Sequence, residues 1–178
     1  MKTEKGIPGK EPRIINMSDQ KMAVLRVEGD PNTVTEKYLP ALYGTVYPLK
    51  MGLKTKGKDF KVEKPRARWP KGVLEVPKDE WIGLYALPIP KDTKVLPLQK
   101  KVTGAEIKIE TWKYGSVAEV LYIGPYSEEG ATIKGLHKFI DKNGYRIVGD
   151  HEEVYLSDPR RTPPERSRTI IRYCVEKV

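Results

Sequence analysis

The residues best suited to chemistry cluster late in the chain, in the run His151-Glu152-Glu153-Val154-Tyr155-Leu156. In an extended conformation, Glu153 and Tyr155 project to one face and Val154 and Leu156 to the other. The apolar pair suits a core under helices, which leaves the acid and the phenol for the open side. A carboxylate walled by aromatic rings attracts cations and lipophilic amines through its charge and through cation–π contact. Partial burial also raises its pKa toward neutrality, where a general acid or base works best. Trp69, Trp81, Tyr85, Trp112 and Tyr126 are the side chains that can build such walls. Trp81 follows the charged pair Asp79-Glu80 and reads as a strand anchor instead.

Other chemistries lack their residues. His137 and His151 are the two histidines and Cys174 the one cysteine, with no HxH or HxxxH spacing, so no metal site is expected. There is no GxSxG elbow for a serine hydrolase. There is no GxGxxG or P-loop for a nucleotide, so no cofactor is expected either. Cys174 sits in an apolar run and reads as an inert buried thiol.

The elements that must position these groups repeat. Arg13–Asn16 and Lys21–Glu28 read as a hairpin arm or bulged strand. Asp30 then serves as N-cap with Pro31 at the first helical position, and Pro40 should kink that helix or mark its real start. Strands follow at about 59–68 and 81–90. A second pass gives strands at Ile107–Tyr114 and Val117–Ile123, then a helix over Ser127–Asn143 with Ile133, Leu136 and Ile140 as its buried stripe. Glu128 and Glu129 sit in its first turn, where the helix dipole favours them, and Asn143-Gly144 ends it. Tyr145–Val148, Glu153–Leu156 and Thr169–Val175 read as strands. Both passes run strand, Gly/Pro turn, helix, strand, strand, and Val24-Leu25-Arg26-Val27-Glu28-Gly29 echoes Val120-Leu121-Tyr122-Ile123-Gly124. Two such copies about a pseudo-twofold axis create one cleft at their junction, a common place for a ligand.

The chain has 178 residues, 32% of them charged, with a net charge of +9. That length fits one domain. No stretch approaches the roughly 20 apolar residues that span a bilayer, so no membrane partner is expected. A single cysteine and a polar N-terminus without a signal-peptide core imply a cytoplasmic address. Residues 1–12 read as a flexible leader. Between Lys50 and Lys71 there are nine basic residues against Asp59 and Glu63, which reads as a solvated connection. No helix-turn-helix, CxxC pair or aromatic RNA-binding strand accompanies it, so a nucleic-acid partner is not expected.

Longer motifs carry a family resemblance. Ala118-Glu119-Val120-Leu121-Tyr122-Ile123-Gly124-Pro125-Tyr126, Lys138-Phe139-Ile140, the run from His151 to Pro159, and Thr169-Ile170-Ile171-Arg172-Tyr173 together resemble the GyrI-like small-molecule-binding proteins. Pro77-Lys78-Asp79-Glu80-Trp81-Ile82-Gly83 and Ala86-Leu87-Pro88-Ile89-Pro90 are similar to the stand-alone branch of this bacterial effector-binding domain family. The resemblance covers roughly residues 13–176.

It implies an α+β fold of duplicated βαββ units with pseudo-twofold symmetry, an antiparallel sheet and a ligand cleft between the halves. Residues 13–178 would then form one GyrI-like domain, with a first repeat at about 13–98 and a second at about 105–178. It also implies a pocket centred on Glu153 and lined by Tyr155, Tyr85, Tyr126, Trp112 and Trp69. Relatives include effector-binding domains of multidrug-responsive transcription activators, gyrase inhibitors, and hydrolases of reactive cyclopropane-containing compounds. The main expectation is a stand-alone binder of a hydrophobic, possibly cationic, small organic molecule in that aromatic pocket. The alternative is a metal-independent hydrolase of electrophilic, cyclopropane-type molecules, with Glu153 and Tyr155 as its catalytic pair. A gyrase-type protein partner is the third reading, and the positive charge speaks against it.

Overall fold

The computed structural model describes residues 6–97 and 106–178. Residues 1–5 of the expected leader, and the connection 98–105, lie outside the described residues. The described part of the leader is tied down, since Leu121 N–H donates to the Gly9 carbonyl at 2.9 Å.

In chain order the elements are β1 (Arg13–Met17), β2 (Gln20–Glu28), α1 (Pro31–Thr55), β3 (Arg66–Trp69), β4 (Ile82–Pro88), β5 (Glu106–Trp112), β6 (Gly115–Ile123), α2 (Gly130–Lys142), β7 (Tyr145–Ile147), β8 (His151–Tyr155) and β9 (Arg168–Lys177). This is an α+β fold with antiparallel strand pairing and two helices. Two compact units share it, one formed by Gln20–Trp112 and the other by Met1–Asp19 with Lys113–Val178.

Inside each unit the same ladder is built. In the first, β2 lies between β5 and β4, and β4 pairs onward with β3. In the second, β6 lies between β1 and β9, and β9 pairs onward with β8. The strand–helix–strand–strand repeat is thus present twice. Of the two forms the sequence allows, a hairpin arm or a bulged strand, β1 and β2 do not pair as a hairpin, because each joins a different ladder. The chain leaves the second ladder at Asp19 and re-enters it at Lys113. There the Asp19 carboxylate holds Lys113 Nζ at 2.7 Å and accepts from Tyr114 N–H at 3.2 Å.

The turn from strand to helix also repeats. Gly29 at φ 137° donates its N–H to the Trp81 carbonyl at 2.8 Å, and Gly124 at φ 149° donates to that of Ser167 at 2.9 Å. Only glycine is at ease in that backbone region. At Gly124 a β-carbon would also come within 2.6 Å of Tyr122 Oη. After Gly29 the Asp30 side chain accepts from Asn32 N–H, so the cap and Pro31 start α1 as expected, and the helix runs on through Pro40 and Pro48. After Gly124, Pro125 leads into a tight turn at Tyr126–Glu128, and α2 begins three residues later than the pattern suggests. That delay moves Glu129 from the first turn to the capping position.

Part of the basic segment is neutralised locally. Lys50 reaches Asp59 and the Phe60 carbonyl, Arg66 reaches Glu63, and Arg68 lies over the Trp112 ring at 4.2 Å. No helix among the described residues is long and apolar enough to cross a membrane.

In the Lys113–Val178 unit the two faces of the sheet differ. Leu136 and Ile140 of α2 pack on Ala118, Val120 and Tyr122 of β6 and on Ile171, Tyr173 and Val175 of β9. The other face carries a row of charges at successive paired positions on four strands: Arg13, Glu119, Arg172 and Glu152. Arg13 and Arg172 each hold Glu119 at 2.7 Å, Arg172 reaches Glu152 at 3.2 Å, and Tyr114 Oη donates to Glu152 at 3.0 Å. The sequence pattern does not announce this row, because its members lie up to 159 positions apart.

Candidate functional site

Glu153 lies in the middle of β8, directly opposite Ile171 of β9. Ile171 belongs to the core under α2, so Glu153 points to the helix-covered face, as do His151 and Tyr155 two residues to either side. The alternation expected from sequence holds, but the faces are exchanged: Val154 is on the far side. Both faces of β8 are buried at its centre, so hydrophobicity alone could not say which one carries the helix.

On the α2 face Glu153 has two polar partners. His151 Nε2 lies 2.7 Å from Glu153 Oε1, and His151 Nδ1 lies 2.6 Å from the Tyr173 hydroxyl. Glu129, at the start of α2, forms a side-chain hydrogen bond with Glu153. Burial, then the charge of Glu153, then this hydrogen bond push the Glu129 carboxyl up to about 9. At neutral pH Glu129 therefore carries a proton and donates it to the Glu153 carboxylate. Glu153 itself is 5% exposed.

The surrounding phenols keep their protons too. Burial and the charges of Glu153 and Glu129 raise the phenols of Tyr126 and Tyr173. Burial and the nearby His151 lower His137, whose ring meets Tyr173 edge-on at 4.9 Å. Tyr126 and Tyr155 meet edge to face at 5.8 Å. One atom each from Glu129, His151 and Glu153 lie within 4.8 Å of one another, a spacing that a cation can bridge. In this structure these groups hydrogen-bond to one another, and we read them as a proton-sharing cluster.

The main functional expectation needs correction. No aromatic cluster surrounds the buried glutamates among the described residues. Tyr85, Trp69 and Trp112 belong to the Gln20–Trp112 unit, where Tyr85 and Trp69 meet edge to face at 6.3 Å and Trp112 stacks under Arg68. Tyr126 and Tyr155 share the unit of Glu153. The physical reason is that a buried carboxylate is stabilised by hydrogen-bond donors more than by ring faces, and an imidazole and a carboxyl supply them here. A binder centred on an aromatic pocket around Glu153 is therefore not what this chain is. The structure adds Glu129, His151 and Tyr173 to the groups around Glu153. His151 was within reach, because a residue two before Glu153 on an extended strand must share its face.

Glu129 carries a pH signature. A carboxyl raised to about 9 from an ordinary value near 4.5 binds more protons folded than unfolded between those limits. Its burial therefore costs stability increasingly as pH rises from about 4.5 to 9, and least below that window. Glu129→Gln keeps a donor for Glu153 and removes the titration. The variant should melt higher than wild type at pH 8 and equal to it near pH 4, as read by thermal denaturation across pH. A gain independent of pH would show that Glu129 is not held protonated.

The comparisons with known proteins agree with the fold. Residues 91–174 match the GyrI-like small molecule binding domain, to which the chain is similar over that span. No curated protein matches the chain. Among solved structures, an uncharacterized conserved protein from Listeria innocua is 25% identical over 95% of this chain and 94% of its own, with a TM-score of 0.80. A hydrolase from Listeria innocua is 23% identical over 96% of this chain and 94% of its own, at a TM-score of 0.78. The EcmrR C-terminal domain is 12% identical over 94% of this chain and 98% of its own, at 0.62.

Proposed function

We propose that this protein is a metal-independent hydrolase of small electrophilic molecules, with Glu153 as the base that takes a proton from attacking water. The observation that carries this reading is the convergence of Glu129, His151 and Glu153, one atom of each within 4.8 Å of the others and His151 at 2.7 Å from Glu153, with the Glu129 carboxyl pushed up to about 9 by burial and by the charge of Glu153. Two carboxyl groups in opposite protonation states supply both halves of a hydrolysis. As water attacks, its oxygen bonds to the electrophilic carbon and its proton passes to Glu153. The bond to the departing atom breaks, and Glu129 gives that atom its proton. Glu153 then returns its proton to Glu129 along their hydrogen bond, which restores the resting state.

Tyr126, whose phenol is raised by burial and by the charge of Glu153, and Tyr155, which meets it edge to face, serve as donors to the substrate as charge develops on it. A strained three-membered ring is the substrate class that the family resemblance favours, since ring opening needs both a nucleophile and a proton. A hydrolase also stands among the solved structures that share this fold.

The test is to incubate wild-type protein with strained-ring and activated acyl compounds and to count product per protein molecule by mass spectrometry. Many products per protein, with one oxygen gained from labelled water, is the expected result. Capture of one molecule per protein without release would overturn the reading.

A further inference from the structure

We infer that Tyr173 is a positioning residue, which locks His151 in its Nε2–H tautomer so that the imidazole donates to Glu153 and holds that carboxylate ready as the base. The inference concerns the same site, and its catalytic consequence rests on the hydrolase reading.

The argument is a count of protons along one chain of contacts. Tyr173 Oη, His151 Nδ1, His151 Nε2 and Glu153 Oε1 follow one another at 2.6 Å, across the ring, and 2.7 Å. The ionised Glu153 oxygen can only accept. A neutral imidazole has one N–H. Placed on Nε2, it donates to Glu153 and leaves the Nδ1 lone pair to accept from Tyr173 O–H. Placed on Nδ1, it sets the Nε2 lone pair against a carboxylate oxygen at hydrogen-bond distance, which is repulsive. The first arrangement is satisfied throughout and the second is not.

The lock needs a phenol that never gives up its proton. Tyr173 is 7% exposed, and its burial together with the charges of Glu153 and Glu129 keeps it protonated. The groups around His151 are Glu153 on β8, Tyr173 on β9, Glu129 before α2, and His137 on α2, which in turn feels Asp141. Burial is the first cause that lowers His137 and disfavours its cation. Glu153 thereby receives two convergent donors, His151 Nε2–H and the Glu129 carboxyl, and one proton donor stays in the cluster for the departing group.

The experiment is nitrogen NMR of the His151 ring in wild type and in Tyr173→Phe, alongside kcat, KM and the pH profile of kcat. The expected result is a wild-type ring protonated at Nε2 alone. In Tyr173→Phe a fraction becomes protonated at Nδ1, kcat falls by at least about tenfold with KM little changed, and the profile shifts. A wild-type ring protonated at Nδ1 overturns the inference, as does an unchanged tautomer in Tyr173→Phe. If that variant fails to fold, the wild-type spectrum still decides. The spectrum needs no substrate, so a locked tautomer in a protein that turns nothing over would sink the hydrolase reading alone.

Discussion

Replacing Glu153 with glutamine is expected to lower turnover by about a hundredfold to ten-thousandfold, the range that a lost general base costs, while the protein remains folded. The amide has the shape of the carboxylate, so its oxygen still accepts from His151 Nε2–H. What it cannot do is take a proton from water. The change also reaches Glu129. Burial is the first cause of the raised Glu129 carboxyl and the charge of Glu153 the second. In Glu153→Gln the second is gone, so Glu129 should titrate below about 9 while staying above an ordinary glutamate, which carbon NMR of its carboxyl would read. Whatever activity remains should lose its alkaline limb at a lower pH, because the donor ionises sooner. A Glu153→Gln protein that keeps more than about a tenth of wild-type turnover would remove Glu153 from the mechanism.

Sequence alone reached some of this site and not the rest, and the division follows from how far apart the partners are. Gly29 and Gly124, each after a Val-Leu-containing strand and before a helix, are local signals, and both lie where the repeat requires positive φ. The stripe of Ile133, Leu136 and Ile140 is local too, and α2 buries it as expected. Glu153 was reachable because its motif is contiguous. Glu129 was not. Its carboxyl meets Glu153 only because Pro125 delays the helix and β8 lies nearby, neither of which periodicity encodes. The same holds for the charge row, where one-dimensional patterning shows only unconnected acids and bases on strands. The exchange of β1 and β5 between ladders is likewise a matter of pairing partner. Alternation fixes which residues share a face, but not which strand lies alongside.

That charge row carries the second large effect. Glu119→Ala is expected to cost about 3–5 kcal/mol of stability, the usual penalty for stranding one partner of a buried ion pair. Glu119 is 1% exposed and is held by two guanidinium groups, so its loss leaves Arg172, itself 7% exposed, with Glu152 and the Tyr114 ring alone. Arg13→Ala should cost far less, because that side chain is 21% exposed and water can replace it. Urea denaturation of Glu119→Ala, Arg172→Met and the double variant separates the pair from its parts. The second substitution should be much cheaper in the background of the first, because no counterion remains to be stranded. Additive losses would mean that Glu119 and Arg172 act independently. The row also matters to the chemistry. Arg172 sits between Ile171 and Tyr173 on β9, and its bond to Glu152 pins β8 to β9 from the opposite face. The same pairing sets His151 against Tyr173. Slippage at Glu152–Arg172 would thus disturb the His151–Tyr173 contact before it unfolded the sheet, so Glu119→Ala should lose the Nε2–H tautomer at denaturant concentrations where its strands are still paired.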